Sequence, residues 1–355
     1  SPSAYVRLPI TDGAWAGDAA DLLVWTTTPW TLVSNTAVAV HPEVTYVLAR
    51  HEQHDRGLVV AEPLLRAALG EGGRPVDRRP GRELAGVRYA PAFTLIDVPG
   101  PRVVVGADFV TTDEGTGLVH LAPAFGADDL AAANAHQLPV VNPVGPDGRF
   151  SPRVPLVGGE RFQDADQPSL ADLRDRGRLY REEAYQHPYP HCWRCGHALL
   201  YYAMPSWYIR TTAIKDELIA ENERTTWYPA SIKHGRYGDW LRNNVDWALS
   251  RSRYWGTPLP IWRCGRDHVT CVGSLAELGD LTGRDLSGLD PHRPFVDEIT
   301  FACPTCGEPC RRVLDVVDVW FDSGAMPFAQ FGAPHRNAEE FAESYPAQFI
   351  CEAID

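Results

Sequence analysis

Two Cys-x-x-Cys pairs, Cys192/Cys195 and Cys303/Cys306, restrict the fold of this chain more than any other feature. Paired thiols at that spacing in 355 residues favour metal knuckles over disulfides. The two-residue gap lets both sulfurs face one ion, and Gly307 follows Cys306 where the tight turn needs it. Cys264 lies upstream as a third ligand. The fourth ligand is open between His268 and Cys271. Four protein ligands leave no free position, so a structural zinc is expected there. Cys192 and Cys195 make only half of a tetrahedral site. The other half must come from His191, His197 or a Cys-x-x-Cys outside this sequence. A reducing, cytoplasmic setting follows from unpaired thiols of this kind.

Around these pairs the texture of the chain changes three times. Residues 1–185 mix β-rich runs (21–28, 36–49, 102–105, 117–121) with short helical periodicity (63–69, 127–137, 169–178). Gly72-Gly73 and Pro146-Asp147-Gly148 punctuate them. This is an α+β, β-barrel-like domain. Residues 186–262 are aromatic and read as helical, and 263–312 as a small zinc ribbon. Residues 313–355 carry two apolar runs, 313–321 and 348–351, that read as buried strands of a parallel α/β sheet. No apolar run reaches the length of about 18 residues that a membrane span requires. The start, Ser1-Pro2-Ser3-Ala4, reads as a chain beginning in mid-sequence. The net charge of −13 excludes indiscriminate phosphate binding while allowing a local groove for one RNA.

Three segments carry candidate chemistry. In Trp25-Thr26-Thr27-Thr28-Pro29-Trp30-Thr31-Leu32, threonines end a strand that proline stops, leaving hydroxyls and N–H groups at a loop edge. In Gly115-Thr116-Gly117-Leu118-Val119-His120-Leu121, a glycine turn feeds a strand ending near His120, which could position or deprotonate water. A helix then opens at Asp128-Asp129, where a carboxylate could bind an ammonium group, although acidic residues also favour helix N-termini through the macrodipole. The third set is Ser252-Arg253-Tyr254-Trp255-Gly256-Thr257-Pro258, then Asp318-Val319-Trp320-Phe321-Asp322-Ser323-Gly324, then Glu352 and Asp355. Carboxylates beyond the ends of buried parallel strands are where α/β sheets bind ligands.

The order of these motifs closely resembles that of the class I isoleucyl-tRNA synthetases. The triple threonine before Pro29-Trp30 separates it from the valine and leucine relatives, which typically place an arginine before that proline. The resemblance implies that residues 1–185 are a β-barrel-like editing domain inserted in a Rossmann-type catalytic domain. Residues 186–262 then return to the catalytic domain with half of a zinc knuckle, 263–312 are a zinc-ribbon insertion, and 313–355 are catalytic strands. It implies that Thr27 and Thr28 form the edge around the ester and terminal ribose, that Trp30 walls the pocket, that His120 limits it, and that Asp129 anchors the α-ammonium. Trp255 would line the isoleucine pocket, with Glu352 and Asp355 on the aminoacyl-adenylate. The partners implied are tRNA(Ile), isoleucine and valine. ATP and Mg2+ are implied for the parent enzyme only, and a monomer is expected. The His-x-Gly-His and Lys-Met-Ser-Lys-Ser signatures of aminoacylation do not occur in these 355 residues. Proofreading is therefore the activity expected of this piece. An inert zinc-stabilised tRNA-binding module and a valine-type relative are the alternatives.

Overall fold

The computed structural model describes residues 1–351. Their contacts fall into two compact units, Ser1–Met204 and the residues from Pro205 onward.

The first unit is built on ten strands: β1 (Pro2–Asp12), β2 (Ala20–Thr26), β3 (Ala37–Val40), β4 (Thr45–His51), β5 (His54–Ala61), β6 (Arg74–Pro80), β7 (Arg88–Tyr89), β8 (Val103–Gly106), β9 (Leu118–Leu121) and β10 (Leu179–Ala184). Pairing runs β1-β7-β8-β3-β9-β2 and closes again on β1, which gives a six-stranded barrel. β10 adds to β1, and β5-β4-β6 extend the sheet from β2. β2 lies parallel to β5 and β9, and β3 lies parallel to β8. Closure leaves these six strands without a free edge along their paired lengths.

Strict alternation in the sequence explains the barrel. Ala4, Val6, Leu8 and Ile10 of β1, with Leu22 and Val24 of β2 and Val38 and Val40 of β3, form one inner cluster. The intervening residues are also covered. Tyr5, Leu23, Leu58 and Val60 meet Ala68 and Leu69 of helix α1 (Leu65–Leu69), while Ala37, Ala39 and Leu121 meet Ala132 of α2 (Ala127–His136). Helix α3 (Asp166–Asp175) plugs the barrel with Leu170 and Leu173. Truncating a fully buried core leucine such as Leu22 to alanine costs about 2–5 kcal/mol in such a setting. The run expected as one strand over 36–49 is broken by a turn at His41–Val44, where the N–H of Val44 donates to the carbonyl of His41.

In the second unit, a four-stranded antiparallel sheet (Val269–Cys271, Ile261–Arg263, Pro309–Arg312, Thr300–Ala302) packs under the helix Leu275–Thr282. Trp262, Leu278, Phe301 and Cys310 form its core. Shorter helices run Lys215–Glu223, Ser231–His234 and Arg236–Arg242.

Two expectations for this unit are corrected. The run 313–321 is not one buried strand. Only Val316–Val317 pairs, and it pairs antiparallel with Ser250–Arg251; a helix, Val319–Ala329, follows. The cause is Asp318, whose carboxylate accepts the Trp320 N–H at 3.2 Å and caps that helix, overriding the β preference of Val319, Trp320 and Phe321. The run 348–351 forms no strand either, and Phe349 is 83% exposed. Among the described residues no neighbouring strand offers it a ladder. The Rossmann-type parallel sheet is thus not formed among them, and every strand pairing of this unit is antiparallel.

Candidate functional site

The threonine edge is a tightly bonded turn. β2 ends at Thr26, and Pro29 opens a buried 3-10 helix, Pro29–Ser34. The Thr28 N–H donates to Thr26 Oγ1 at 3.1 Å. Thr31 returns to the same residue, its hydroxyl donating to the Thr28 carbonyl at 2.8 Å. The Thr28 hydroxyl lies 3.3 Å from both the Thr26 and the Thr31 hydroxyls. Thr27 is half-buried at the bend.

His120, on β9, stands behind this turn and is 7% exposed. Its Nε2 is 2.8 Å from Thr31 Oγ1, and its Nδ1 is 3.5 Å from Asn35 Nδ2. Asn35 in turn accepts the Tyr89 hydroxyl at 2.8 Å. Burial pushes the His120 pKa down to about 4, so the ring is neutral at neutral pH. A neutral imidazole carries one N–H. Because Asn35 Nδ2 can only donate, Nδ1 is the acceptor and Nε2–H donates to Thr31, whose own proton goes to the Thr28 carbonyl. The chain Tyr89–Asn35–His120–Thr31 therefore fixes Thr28. Both ring nitrogens of His120 are taken up by protein partners.

Asp129 enters from the other side of the loop that follows His120. Its Oδ2 accepts the Ala122 N–H at 2.8 Å, and burial raises its pKa above the usual carboxylate range. Gly126 makes room for it: a Cβ there would stand 2.9 Å from the Asp129 carboxylate carbon. Phe125, in the same loop, meets Trp30 edge-on at 4.7 Å. Trp30 is buried, with Phe162 at 5.2 Å as a further edge-on neighbour. The structure thus joins Asp129 and Trp30 to one loop, residues 122–126, and places His120, which bonds Thr31, two residues before that loop.

Sequence reasoning missed Asp166. It is 8% exposed, and its Oδ1 accepts the Trp30 N–H at 2.9 Å, capping the turn that carries the threonines. Burial pushes its pKa up to about 7, against the lowering effect of the Trp30 N–H. The only signal in the sequence was an aspartate opening a helix, which reads as an ordinary first-turn acid.

In the second unit, Cys264, His268, Cys303 and Cys306 converge, with all four ligand atoms within 4.8 Å of one another. Cys264 Sγ is 3.5 Å from His268 Nδ1 and 3.6 Å from Cys306 Sγ, and Cys303 Sγ is 3.7 Å from His268 Nδ1. Metal bonds of about 2.3 Å to sulfur and about 2.0 Å to nitrogen give tetrahedral edges of about 3.6–3.8 Å. The cluster fits a tetrahedral ion, with His268 as the fourth ligand and Cys271 exposed outside it. Cys310 is buried behind the cluster, and burial pushes its thiol up to about 11.

The remaining expected residues do not converge. Cys192 and Cys195 form a knuckle closed by Gly196 N–H to the Cys192 carbonyl at 2.8 Å. Among the described residues no third ligand joins them. Trp255 is 70% exposed and stacks on His292 at 4.9 Å. Glu352 and Asp355 lie outside the described residues. Among the described residues no helix is long and apolar enough to cross a membrane.

The chain matches the family of class I tRNA synthetases (I, L, M and V) over residues 17–355. It is 61% identical to an isoleucine–tRNA ligase of Streptomyces coelicolor and 49% identical to one of Thermus thermophilus, in each case over 100% of this chain and 34% of the relative. The chain therefore spans about a third of the length of the curated relatives it matches. Among solved structures it is similar to GlLeuRS-CP1, at TM-score 0.42 and 14% identity, covering 52% of this chain and 100% of that one. It is also similar to the Plasmodium knowlesi cytosolic leucyl-tRNA synthetase editing domain, at TM-score 0.32 and 13% identity over 39% of this chain and 63% of that one. A family match that runs through both the threonine turn and the cysteine cluster leaves one assignment: the chain belongs to the class I tRNA synthetases of the I, L, M and V group.

Proposed function

We propose that the first unit hydrolyses valine wrongly esterified to tRNA(Ile), and that the protein to which these residues belong is an isoleucine–tRNA ligase using ATP and Mg2+. In this reading residues 1–185 are the editing domain, 186–262 return to the catalytic domain, 263–312 are the ribbon insertion and 313–355 belong again to catalysis. The need for a second site is energetic. One methylene discriminates by only about 1–3 kcal/mol, and isoleucine–tRNA ligases are themselves the established example of that limit, with a known preference of about 150-fold over valine.

One observation carries the reading: a hydroxyl turn is fixed by a neutral histidine, and a desolvated carboxylate is bonded to Ala122, two residues beyond that histidine. Asp129 binds the α-ammonium of the esterified amino acid, a charge pair that partial burial strengthens. Thr27 and Thr28 present hydroxyl groups to the ester and ribose. Water attacks the carbonyl carbon, and the developing oxyanion is met by these donors, which the network behind them has already oriented. The departing ribose oxygen takes a proton and leaves with the tRNA. His120 holds Thr31 and through it Thr28, acting as a positioning residue. The Cys264, His268, Cys303 and Cys306 cluster holds a structural zinc, which ties the ribbon strands together and takes no part in hydrolysis.

The test is deacylation of valyl-tRNA(Ile) by the chain. Hydrolysis well above that of an Asp129→Ala variant is expected, with isoleucyl-tRNA(Ile) spared. A rate equal to that variant's would leave only an inert RNA-binding module.

A further inference from the structure

The outer face of the first unit's sheet carries a group of cations that hydrolysis at the threonine turn does not use. Alternation along β1 and β2 sets Arg7, Tyr5, Asp21 and Leu23 on the face away from the inner cluster of Val6, Leu8, Leu22 and Val24. β5 lies parallel to β2 with Leu58 opposite Asp21, so Arg56 and His54, at alternate positions before Leu58, reach the same face. The turn after helix α3 adds Arg178, whose backbone carbonyl accepts the Arg7 N–H at 2.8 Å. Tyr180 follows, its ring 4.8 Å from that of His54.

Three guanidiniums and an imidazole thus surround one buried carboxylate. Asp21 is 2% exposed and is already taken by Arg56 Nε at 2.5 Å. Arg7 gives its Nη2 to the Gly177 carbonyl, and Arg178 gives its Nη1 to the Arg7 carbonyl at 3.4 Å. Neither is ion-paired among the described residues, and Arg7 Nε is buried with no hydrogen-bond partner among them. The charges act on one another. Burial holds the Arg178 pKa down, Asp21 opposes it, and Arg176, Arg56 and Arg7 add to the lowering. His54 is lowered first by burial, then by Arg7 and His51, against Asp21 and Asp55. Arg7, His54, Arg56, Arg178 and Tyr180 are all half-buried, so solvent still reaches the group.

An arginine can be held for packing alone, as Arg181 is, over the Tyr5 ring with Glu183 as its ion pair. Arg7 and Arg178 differ, because backbone carbonyls are their only acceptors and their charges stay uncompensated in a chain of net charge −13. Guanidinium forks match the oxygens of a phosphate. We propose that Arg7, Arg56, Arg178 and His54 form a binding site for a small free phosphate anion, inorganic phosphate or pyrophosphate. Nearby acids select against a long polyanion: Glu52 and Asp55 are exposed on the hairpin that carries His54 and would repel an extended strand. Asp21 stands near the start of β2 and Thr26 at its end, so this site is separate from the threonine turn and does not rest on its reading.

The full 355-residue chain is titrated with inorganic phosphate, with pyrophosphate and with a single-stranded RNA, at constant ionic strength in chloride, while its histidine rings are followed by NMR. The His54 signal is assigned by its loss in His54→Asn. An anion seated here is expected to raise the His54 pKa by about one unit, as one opposite charge does at close range, while that of His136 on α2 stays in place. Arg7→Met and Arg178→Met are each expected to weaken phosphate binding by about tenfold or more, since one charge-assisted hydrogen bond accounts for that much. Arg178→Lys keeps the charge without the fork and should fall between. If a methionine variant unfolds, the wild-type His54 shift decides alone. A His54 signal that phosphate and pyrophosphate move no more than chloride does, unaltered affinity in both folded methionine variants, or RNA acting on His54 at least as strongly as pyrophosphate would each overturn the proposal.

Discussion

Replacing Asp166 with asparagine should make the first unit more stable at alkaline pH, by an amount that grows with pH. The carboxylate is buried against the turn Pro29–Ser34, with the Trp30 N–H as its hydrogen-bond partner. Its pKa stands at about 7 against 3.8 for the free group, so the folded state holds the proton more tightly than the unfolded chain. The stability this confers is fully present below pH 3.8 and is lost as pH rises through 7. At about 1.4 kcal/mol per unit, the full loss is about 4 kcal/mol, of which about 2.5 kcal/mol falls between pH 5 and pH 8. Asparagine keeps an acceptor for the Trp30 N–H and cannot ionise. The gap in stability between Asp166→Asn and the wild type should therefore widen by about 2.5 kcal/mol from pH 5 to pH 8, or roughly 5–10 °C in melting temperature for a unit of this size. Thermal melts of both proteins across that range make the comparison. Parallel stability curves would refute the assignment of a buried, uncompensated carboxylate.

Other perturbations test the remaining parts of the site. Gly126→Ala keeps an extended backbone but drives a methyl group against the Asp129 carboxylate, so valyl-tRNA(Ile) deacylation should fall by about tenfold or more with a loss of about 1 kcal/mol or less in stability; unchanged activity would separate Asp129 from the reaction. On the acid side, His120 is held neutral by burial, so its contribution is present above pH 6.5 and is lost as pH falls towards 4. A His120→Gln variant should lack that acid-side loss, and denaturant melts at pH 5 and pH 7 will show whether it does. Metal analysis should find about one zinc per chain at the Cys264 cluster, and Cys303→Ser should release it and lower the melting temperature of the second unit while deacylation persists. A folded, metal-free wild-type protein would refute that site.

The barrel was legible because its strands obey a period of two over several residues. Val6, Leu8 and Ile10, or Leu22 and Val24, announce one buried face without help from the rest of the chain. Helix α2 was legible for the same kind of reason, since its acidic first turn and its alanines are local signals. Closure was not legible, because it depends on β1 bonding β2 along one edge and both β7 and β10 along the other. The failures at 313–321 and 348–351 share a cause. An apolar run says that a segment seeks burial, and only its neighbours decide whether burial comes as strand, helix or not at all. At Asp318 one capping carboxylate outweighed three β-favouring residues. Within the site, the threonines and His120 were visible as motif residues, whereas Asp166, 136 residues from Trp30, has meaning only through the contact that folding creates.

That contact ties together the two perturbed groups nearest the threonines. His120 sits behind the turn and is neutral above about pH 4, and Asp166 caps its first N–H and is neutral below about pH 7. Between those values the turn rests on two uncharged partners. An ionised Asp166 would set a negative charge behind the turn and oppose an oxyanion developing in front of it. Neutrality obtained by burial is costly, since each group gives up about 3–4 kcal/mol when pH forces it to ionise. A barrel with one closed, well-filled core can carry that cost. This is a physical reason for placing the turn at the end of β2, in the closed ring, and not on the exposed edge strand β6.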